Sequence, residues 1–155
     1  MLKIHIAVGT GPFMLNEKSC GAVVYAKNNE VNYLLLHYDA GHWDFVKGNV
    51  EQGETEKETV IRELQEETGI TDPQFIEGFK EKIIYFYKRQ GATVNKEVIF
   101  FIIETHTTKV QLSYEHIGYE WLTYERAMEK LTFKNAKDIL QKARDYIKKQ
   151  EILKS

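Results

Sequence analysis

Three glutamates, Glu63, Glu66 and Glu67, sit three and four residues apart in the run Arg62-Glu63-Leu64-Gln65-Glu66-Glu67-Thr68. On an α-helix that spacing puts them on one face, with Glu56 further up the same side. Like charges so placed repel by roughly 0.2–0.5 kcal/mol per pair on an isolated helix. Arg62 and Lys57 can neutralise part of the cluster, but a hard divalent cation bound through oxygen does so more completely. Mg²⁺ suits such a site, with Mn²⁺ as a substitute, and Mg²⁺ keeps waters and bridges to substrate phosphates, which points to phosphate chemistry. Taken alone, a charge cluster of this kind reads first as a solvated helix face.

The wider pattern changes that reading. Gly48 is followed after five residues by Glu54, and after seven more by Arg62-Glu63-Leu64-Gln65-Glu66-Glu67-Thr68-Gly69-Ile70. This resembles the Nudix box of the Nudix hydrolases with no departure across residues 48–70. The resemblance implies an α/β fold, a mixed β-sheet sandwiched between α-helices, in which water attacks a phosphorus of a bound diphosphate. It also implies that Glu63, Glu66 and Glu67 are metal ligands or the general base, and that the Gly48 carbonyl is an additional ligand. Arg62 is expected to orient Glu63 and Glu54 through charge-assisted hydrogen bonds rather than to touch substrate.

Beyond the box, Leu112-Ser113-Tyr114-Glu115-His116 followed by Tyr119-Glu120-Trp121-Leu122 resembles the asymmetrical diadenosine tetraphosphate hydrolases of the animal and archaeal type. The likeness runs from about Lys18 to Tyr146 and includes Trp43, Lys47 and Phe133-Lys134. It implies Glu115 as an acid near the metals, Tyr85 and Phe133 as a sandwich for adenine, and His42, Lys47 and Lys96 as phosphate contacts. Tyr87 and Tyr119 compete for the stacking role, and His116 reads either as phosphate-facing or as a hydrogen-bonded structural residue. The activity implied is Mg²⁺-dependent hydrolysis of diadenosine tetraphosphate to ATP and AMP. Other Nudix pyrophosphohydrolase activities, on RNA 5′ ends, oxidised nucleotides or diphosphoinositol polyphosphates, form the alternative. A non-catalytic nucleotide sensor is disfavoured by the complete carboxylate set. Val46 stands where many relatives carry proline, and residues 1–16 have no clear counterpart and are read as an extra strand or terminal arm. Gly9-Thr10-Gly11 within them lacks the rest of a phosphate loop.

The elements that must position these residues are legible in outline. Thr55-Glu56-Lys57-Glu58 matches a capping box and Gly69 a left-handed stop, so a helix is predicted over Glu56 to Thr68, fixed by Val60, Ile61 and Leu64. Strands are predicted over Cys20–Ala26 and Val31–His37 around the turn Lys27-Asn28-Asn29-Glu30, then over Trp43–Val46, with Lys47 to Gly53 as a loop. Further strands are expected over Lys82–Lys88, Glu97–Glu104 and Tyr119–Leu122, with helices over Glu125–Leu131 and Ala136–Ile152.

The chain has 155 residues, 43% hydrophobic and 28% charged, within the range of one ordinary folded domain. A net charge of −2 argues against a general electrostatic grip on nucleic acid or an anionic membrane. The expected partner is thus a small-molecule dinucleoside polyphosphate. Cys20 is the single cysteine and is expected as a small buried strand residue. Residues 1–8 contain neither a cleavage site nor a span, which makes the cytoplasm the expected compartment.

Overall fold

The computed structural model describes residues 4–6 and 14–155. In chain order these form β1 (Ile4–Ile6), β2 (Met14–Lys27), β3 (Val31–Tyr38), β4 (Trp43–Asp44), β5 (Val46–Asn49), α1 (Glu56–Thr68), β6 (Gln74–Phe75), β7 (Glu81–Arg89), β8 (Ala92–Glu104), β9 (His116–Leu122), α2 (Tyr124–Lys130) and α3 (Lys134–Lys154). The strands join in one mixed sheet with β2 as its spine. Along one edge β2 runs parallel to β8, from Met14 opposite Thr93 to Tyr25 opposite Glu104. Its other edge is shared in succession by β1, β5 and β3.

Strict alternation along the central strands divides their side chains between two cores. Cys20, Ala22 and Val24 of β2, Leu34 and Leu36 of β3, and Ile99, Phe101 and Ile103 of β8 pack with Val60 and Leu64 of α1. The intervening Val23, Tyr25, Leu35, Val98, Phe100 and Ile102 pack instead with Ala136, Ile139, Leu140, Ala143 and Ile147 of α3. Each fully buried Val or Leu on α1 contributes roughly 1.5–3 kcal/mol through removal of its side chain from water. Cys20 is fully buried, and burial pushes its thiol pKa up to about 12, so it is a packing residue.

The α1 boundaries follow from its caps. Glu58 N–H donates to the Thr55 hydroxyl at 3.1 Å, and the Glu58 carboxylate accepts from Thr55 N–H at 2.9 Å. Gly69, at φ 76°, closes the other end by donating to the Gln65 carbonyl. Ile61 departs from the sequence reading: it is 42% exposed, because the buried face follows Val60, Leu64 and Thr68, four residues apart, and leaves Ile61 a third of a turn away.

Other differences concern strands. The run expected as a loop from Lys47 enters the sheet at once, since Val46 to Asn49 pair antiparallel with Ala22 to Ser19. Phe45 interrupts the expected Trp43–Val46 strand, and β2 begins six residues before the expected Cys20. β7 and β8 are joined by the two residues Gln90 and Gly91, both with positive φ, a turn whose twist matches that of the strands it joins. Of the N-terminal segment, Ile4–Ile6 is a strand against Leu15–Glu17. Gly9-Thr10-Gly11 lies outside the described residues.

The Glu63 side chain lies over Gly48 in space that a Cβ would fill. A Cβ on Gly48 would lie 2.5 Å from Glu63 Cγ, well inside van der Waals contact. Gly48→Ala is therefore expected to cost about 1–3 kcal/mol in urea unfolding, and Glu63→Ala in the same chain should recover most of that loss. Simple additivity of the two substitutions would show that no such overlap governs the site.

Candidate functional site

The first turns of α1 are tied to the preceding loop by one guanidinium. Arg62 Nε donates to Glu54 Oε2 at 2.6 Å and Nη2 to Glu54 Oε1 at 3.1 Å, a two-point contact between planar groups. Nη1 donates to Glu63 at 2.8 Å and Glu66 at 3.2 Å, while Nη2 also donates to the Asn49 carbonyl at 3.0 Å. Glu54 in turn accepts from Glu51 N–H at 2.9 Å and the Thr59 hydroxyl at 2.8 Å. The Arg62 hydrogen bond is the main cause that holds the Glu54 carboxyl down at about 2. Arg62 thus fastens the glycine-punctuated loop, strand β5 and helix α1 together, and orients Glu63.

Glu63, Glu66, Glu67 and Glu115 all line one cleft of about 610 Å³, together with Gly48, Arg62, Lys47 and Lys96. Glu67 is only 3% exposed, and burial, reinforced by Glu63 and Glu115, pushes its carboxyl up to about 9. Burial likewise raises Glu63, more than Arg62 beside it offsets, with Glu66 and Glu115 adding repulsion. Glu115 reaches the cleft from the loop before β9, whose position is set by Asp39 N–H donating to the Glu115 carbonyl at 3.1 Å. Two expected members of the cluster are elsewhere. Glu56 turns to Lys18 and Lys80, each at 2.7 Å, and Lys57 lies near Glu77 and over the Phe75 ring, so neither takes part in the acidic face.

The cations of the cleft are held individually. Lys47 lies 3.0 Å from the buried Asp44. Burial alone would lower the Lys47 ammonium, but Asp44, with Tyr85 and Glu67, outweighs it and keeps the group above its ordinary value. Lys96 donates to Asn49 Oδ1 at 2.9 Å and lies 3.5 Å from Glu17, yet burial dominates and lowers its pKa. The Ser19 hydroxyl donates to the same Asn49 oxygen at 2.8 Å, so Asn49 joins β2, β5 and β8 at the cleft floor.

A second, mainly apolar pocket of about 290 Å³ adjoins through Lys47, which lines both. Its walls include Tyr85 from β7 and Phe133 at the start of α3, so the structure brings together the two aromatics expected as a sandwich. Phe133 is 48% exposed, leaving its ring available for contact. His42 lies between Tyr38, stacked at 4.5 Å, and Phe133, tilted at 5.4 Å, which sets it beside this pocket with its pKa lowered by burial. The competitors are placed differently. Tyr87 donates its hydroxyl to Glu17 at 2.6 Å and holds Arg89, and Tyr119 on β9 lines neither cavity.

Several residues in or beside the cleft carried no local sequence signal: Asn49 and Tyr38 line it, Asp44 lines the adjoining pocket, and Glu17 lies behind Lys96. Tyr38 donates to the Phe45 carbonyl at 2.6 Å and lines the acidic cleft. A pattern of polar residues at buried positions, as at Glu17 and Ser19 of β2, is the one signal that could have marked Glu17.

The donor set can be tested against a divalent cation. Among the described residues no three acidic, histidine or cysteine side chains are grouped closely enough to hold a metal ion by themselves, so a cation here would draw on waters and substrate oxygens as well. Glu67 Oε2, however, is buried without a hydrogen-bond partner, and its neighbours in the cleft are carboxylates. Buried polar atoms are normally paired. An all-oxygen set left open on one side suits a hard cation that keeps waters and meets substrate oxygens. The residues fit the group.

The same assignment emerges from likeness to known proteins. The family profile described as NUDIX domain matches residues 15–143. The asymmetrical bis(5′-nucleosyl)-tetraphosphatase of Mus musculus is 33% identical over 143 residues, covering 84% of this chain and 95% of that protein. The same enzyme of Caenorhabditis elegans is 33% identical over 131 residues, covering 81% and 92%. A crystal structure of a C. elegans Ap4A hydrolase binary complex superposes with a TM-score of 0.71 at 29% identity, over 84% of this chain and 97% of that one. With its box intact and its acidic cleft assembled, the chain belongs to the Nudix hydrolase family.

Proposed function

We propose that this hydrolase cleaves diadenosine tetraphosphate asymmetrically, giving ATP and AMP, with Mg²⁺ as cofactor and Mn²⁺ as its substitute. One observation carries the reading: the acidic cleft and the aromatic pocket meet at Lys47, so a polyphosphate in one continues into a base slot in the other. The similarity to asymmetrical tetraphosphatases over most of the chain supports the same substrate.

In this reading Tyr85 and Phe133 hold one adenine between their rings, a contact that aromatic faces favour over simple area burial. Lys47, Lys96 and His42 take the phosphates adjoining it. Glu63, Glu66, Glu67 and Glu115, with the Gly48 carbonyl, hold the cation. When bound, Mg²⁺ polarises phosphoryl oxygens and lowers the pKa of a coordinated water. Water oxygen forms the new bond to phosphorus, the bond to the bridging oxygen breaks, and one of Glu63 and Glu67 accepts the water proton. Burial keeps Glu67 protonated near neutral pH, so balancing its charge is what makes it available as an acceptor. Arg62 holds Glu63 in place through its 2.8 Å hydrogen bond while Glu54 fixes Arg62. No helix among the described residues is long and apolar enough to cross a membrane, in keeping with a cytoplasmic enzyme acting on a small molecule.

Product analysis tests the reaction. With Mg²⁺ and a panel of dinucleoside polyphosphates, nucleoside triphosphates, 8-oxo-dGTP and triphosphorylated RNA, diadenosine tetraphosphate should give ATP and AMP most efficiently. Glu63→Gln and Glu67→Gln should each lower kcat by about 10²-fold or more while the fold persists, as expected for removal of a base or ligand. Survival of diadenosine tetraphosphate while another member of the panel is cut would overturn the substrate assignment. For the base slot, Tyr85→Ala and Phe133→Ala should raise KM more than they lower kcat. Unchanged kinetics in both would move the base away from this pocket.

A further inference from the structure

Two neighbouring side chains, Glu67 in the cleft and His116 behind it, each carry a buried polar atom without a hydrogen-bond partner. One belongs to Glu67, whose Oε2 has none; the other is Nε2 of His116, whose side chain is fully buried and lies 3.9 Å from Glu67 Oε1. Such atoms each forgo a hydrogen bond that buried polar groups normally make. Nε2 stands within about one ångström of hydrogen-bond distance from Oε1, while Oε2 of the same carboxylate is the oxygen left without a partner.

The rest of the imidazole is held. Its Nδ1 lies 3.2 Å from the Ser113 hydroxyl, and the Tyr38 ring meets it edge-on at 4.4 Å. Ser113 reaches Glu67 by a second route, its N–H donating to the Glu67 carbonyl at 3.3 Å, and His116 N–H donates to the Ser113 carbonyl at 3.2 Å. Ser113, His116 and Glu67 therefore form one small frame, closed everywhere except between the imidazole and the carboxylate. If the Ser113 hydroxyl donates to Nδ1, the neutral ring carries its proton on Nε2, aimed at Glu67.

We propose that His116 is a positioning residue for Glu67: its Nε2–H closes onto Glu67 Oε1 and so presents Oε2 to the cleft. Ser113 sets the tautomer that makes this possible. The imidazole touches neither substrate nor the reacting water. Partners of this kind orient carboxylates and histidines at metal sites, and their loss typically costs about 10–100-fold in activity or metal affinity. The inference rests on the reading of Glu67 as a reaction carboxylate, and not on which polyphosphate is the substrate.

The test uses whichever polyphosphate the wild-type enzyme cuts. His116→Phe keeps the ring and its edge contact with Tyr38 but removes the donor; it should lower kcat by about 10–100-fold with little change in KM, and weaken Mn²⁺ binding measured by electron paramagnetic resonance. His116→Gln, which retains a donor on a side chain of similar reach, should recover most of both losses. Wild-type kcat and Mn²⁺ affinity in His116→Phe would overturn the proposal, as would a His116→Gln variant no better than the phenylalanine one. In the wild-type protein loaded with Mg²⁺, ¹⁵N–¹H NMR of the imidazole should show the Nε2–H tautomer, and the Nδ1–H tautomer would contradict the assignment even if a variant fails to fold. Glu67→Gln measured alongside separates the two levels: wild-type turnover there removes Glu67 from the reaction, and His116 with it.

Discussion

Repulsion among carboxylates is the constraint around which this molecule is arranged. Two like charges about 4 Å apart at the effective dielectric of a protein surface repel by ~4 kcal/mol, far more than a helix gains from favourable local pairs. The chain nevertheless keeps Glu63 and Glu67 in a buried wall, with Glu115 added from a distant loop. It limits the cost in two ways. Arg62 bonds to Glu54, Glu63 and Glu66 at once, and burial holds Glu67 protonated until another charge balances it.

The sheet explains how an acidic cleft and an apolar slot adjoin. Alternating side chains of β2, β3 and β8 divide between a core under α1 and a core under α3. Those cores are separate through most of the sheet. At β5 they converge, because Lys47 and Asn49 stand beside the helix that bears the glutamates and also face the pocket or the cleft floor. Lys47 bridges the two regions, and Asp44 holds it there at 3.0 Å. An acidic cleft and an apolar aromatic slot thus adjoin along one strand.

Helix α1 was readable residue by residue, since a capping box, a left-handed glycine and apolar spacing are local signals that tertiary contacts reinforce. The partition of its charges was not. Glu56 has the spacing of the acidic face, yet Lys18 and Lys80 draw it away, and both lie on segments whose proximity no local pattern reveals. Strand β5 was hidden for a related reason: Lys47-Gly48-Asn49 has the composition of a loop, and only pairing with β2, together with Glu63 packed over Gly48, makes it a strand. Resemblance singled out Tyr85 and Phe133, which line the apolar pocket, and Glu115, which lines the cleft, where periodicity alone would have left two as core and one as a loop acid. Asn49 acts through Ser19 and Lys96, partners that are unreadable before the strands are joined.

In the proposed reaction Glu67 is kept in a wall that disfavours its charge because a divalent cation is to be bound there. Thermal unfolding at pH 9, where Glu67 is partly ionised, measures this directly when run with chelator and with Mg²⁺ on wild type and Glu67→Gln. The account predicts that Glu67→Gln melts higher than wild type in chelator, because a buried repulsive charge is gone, and that Mg²⁺ raises the wild-type Tm but scarcely moves the variant. A variant that melts lower than wild type in chelator, or that gains the full Mg²⁺ increment, would contradict it.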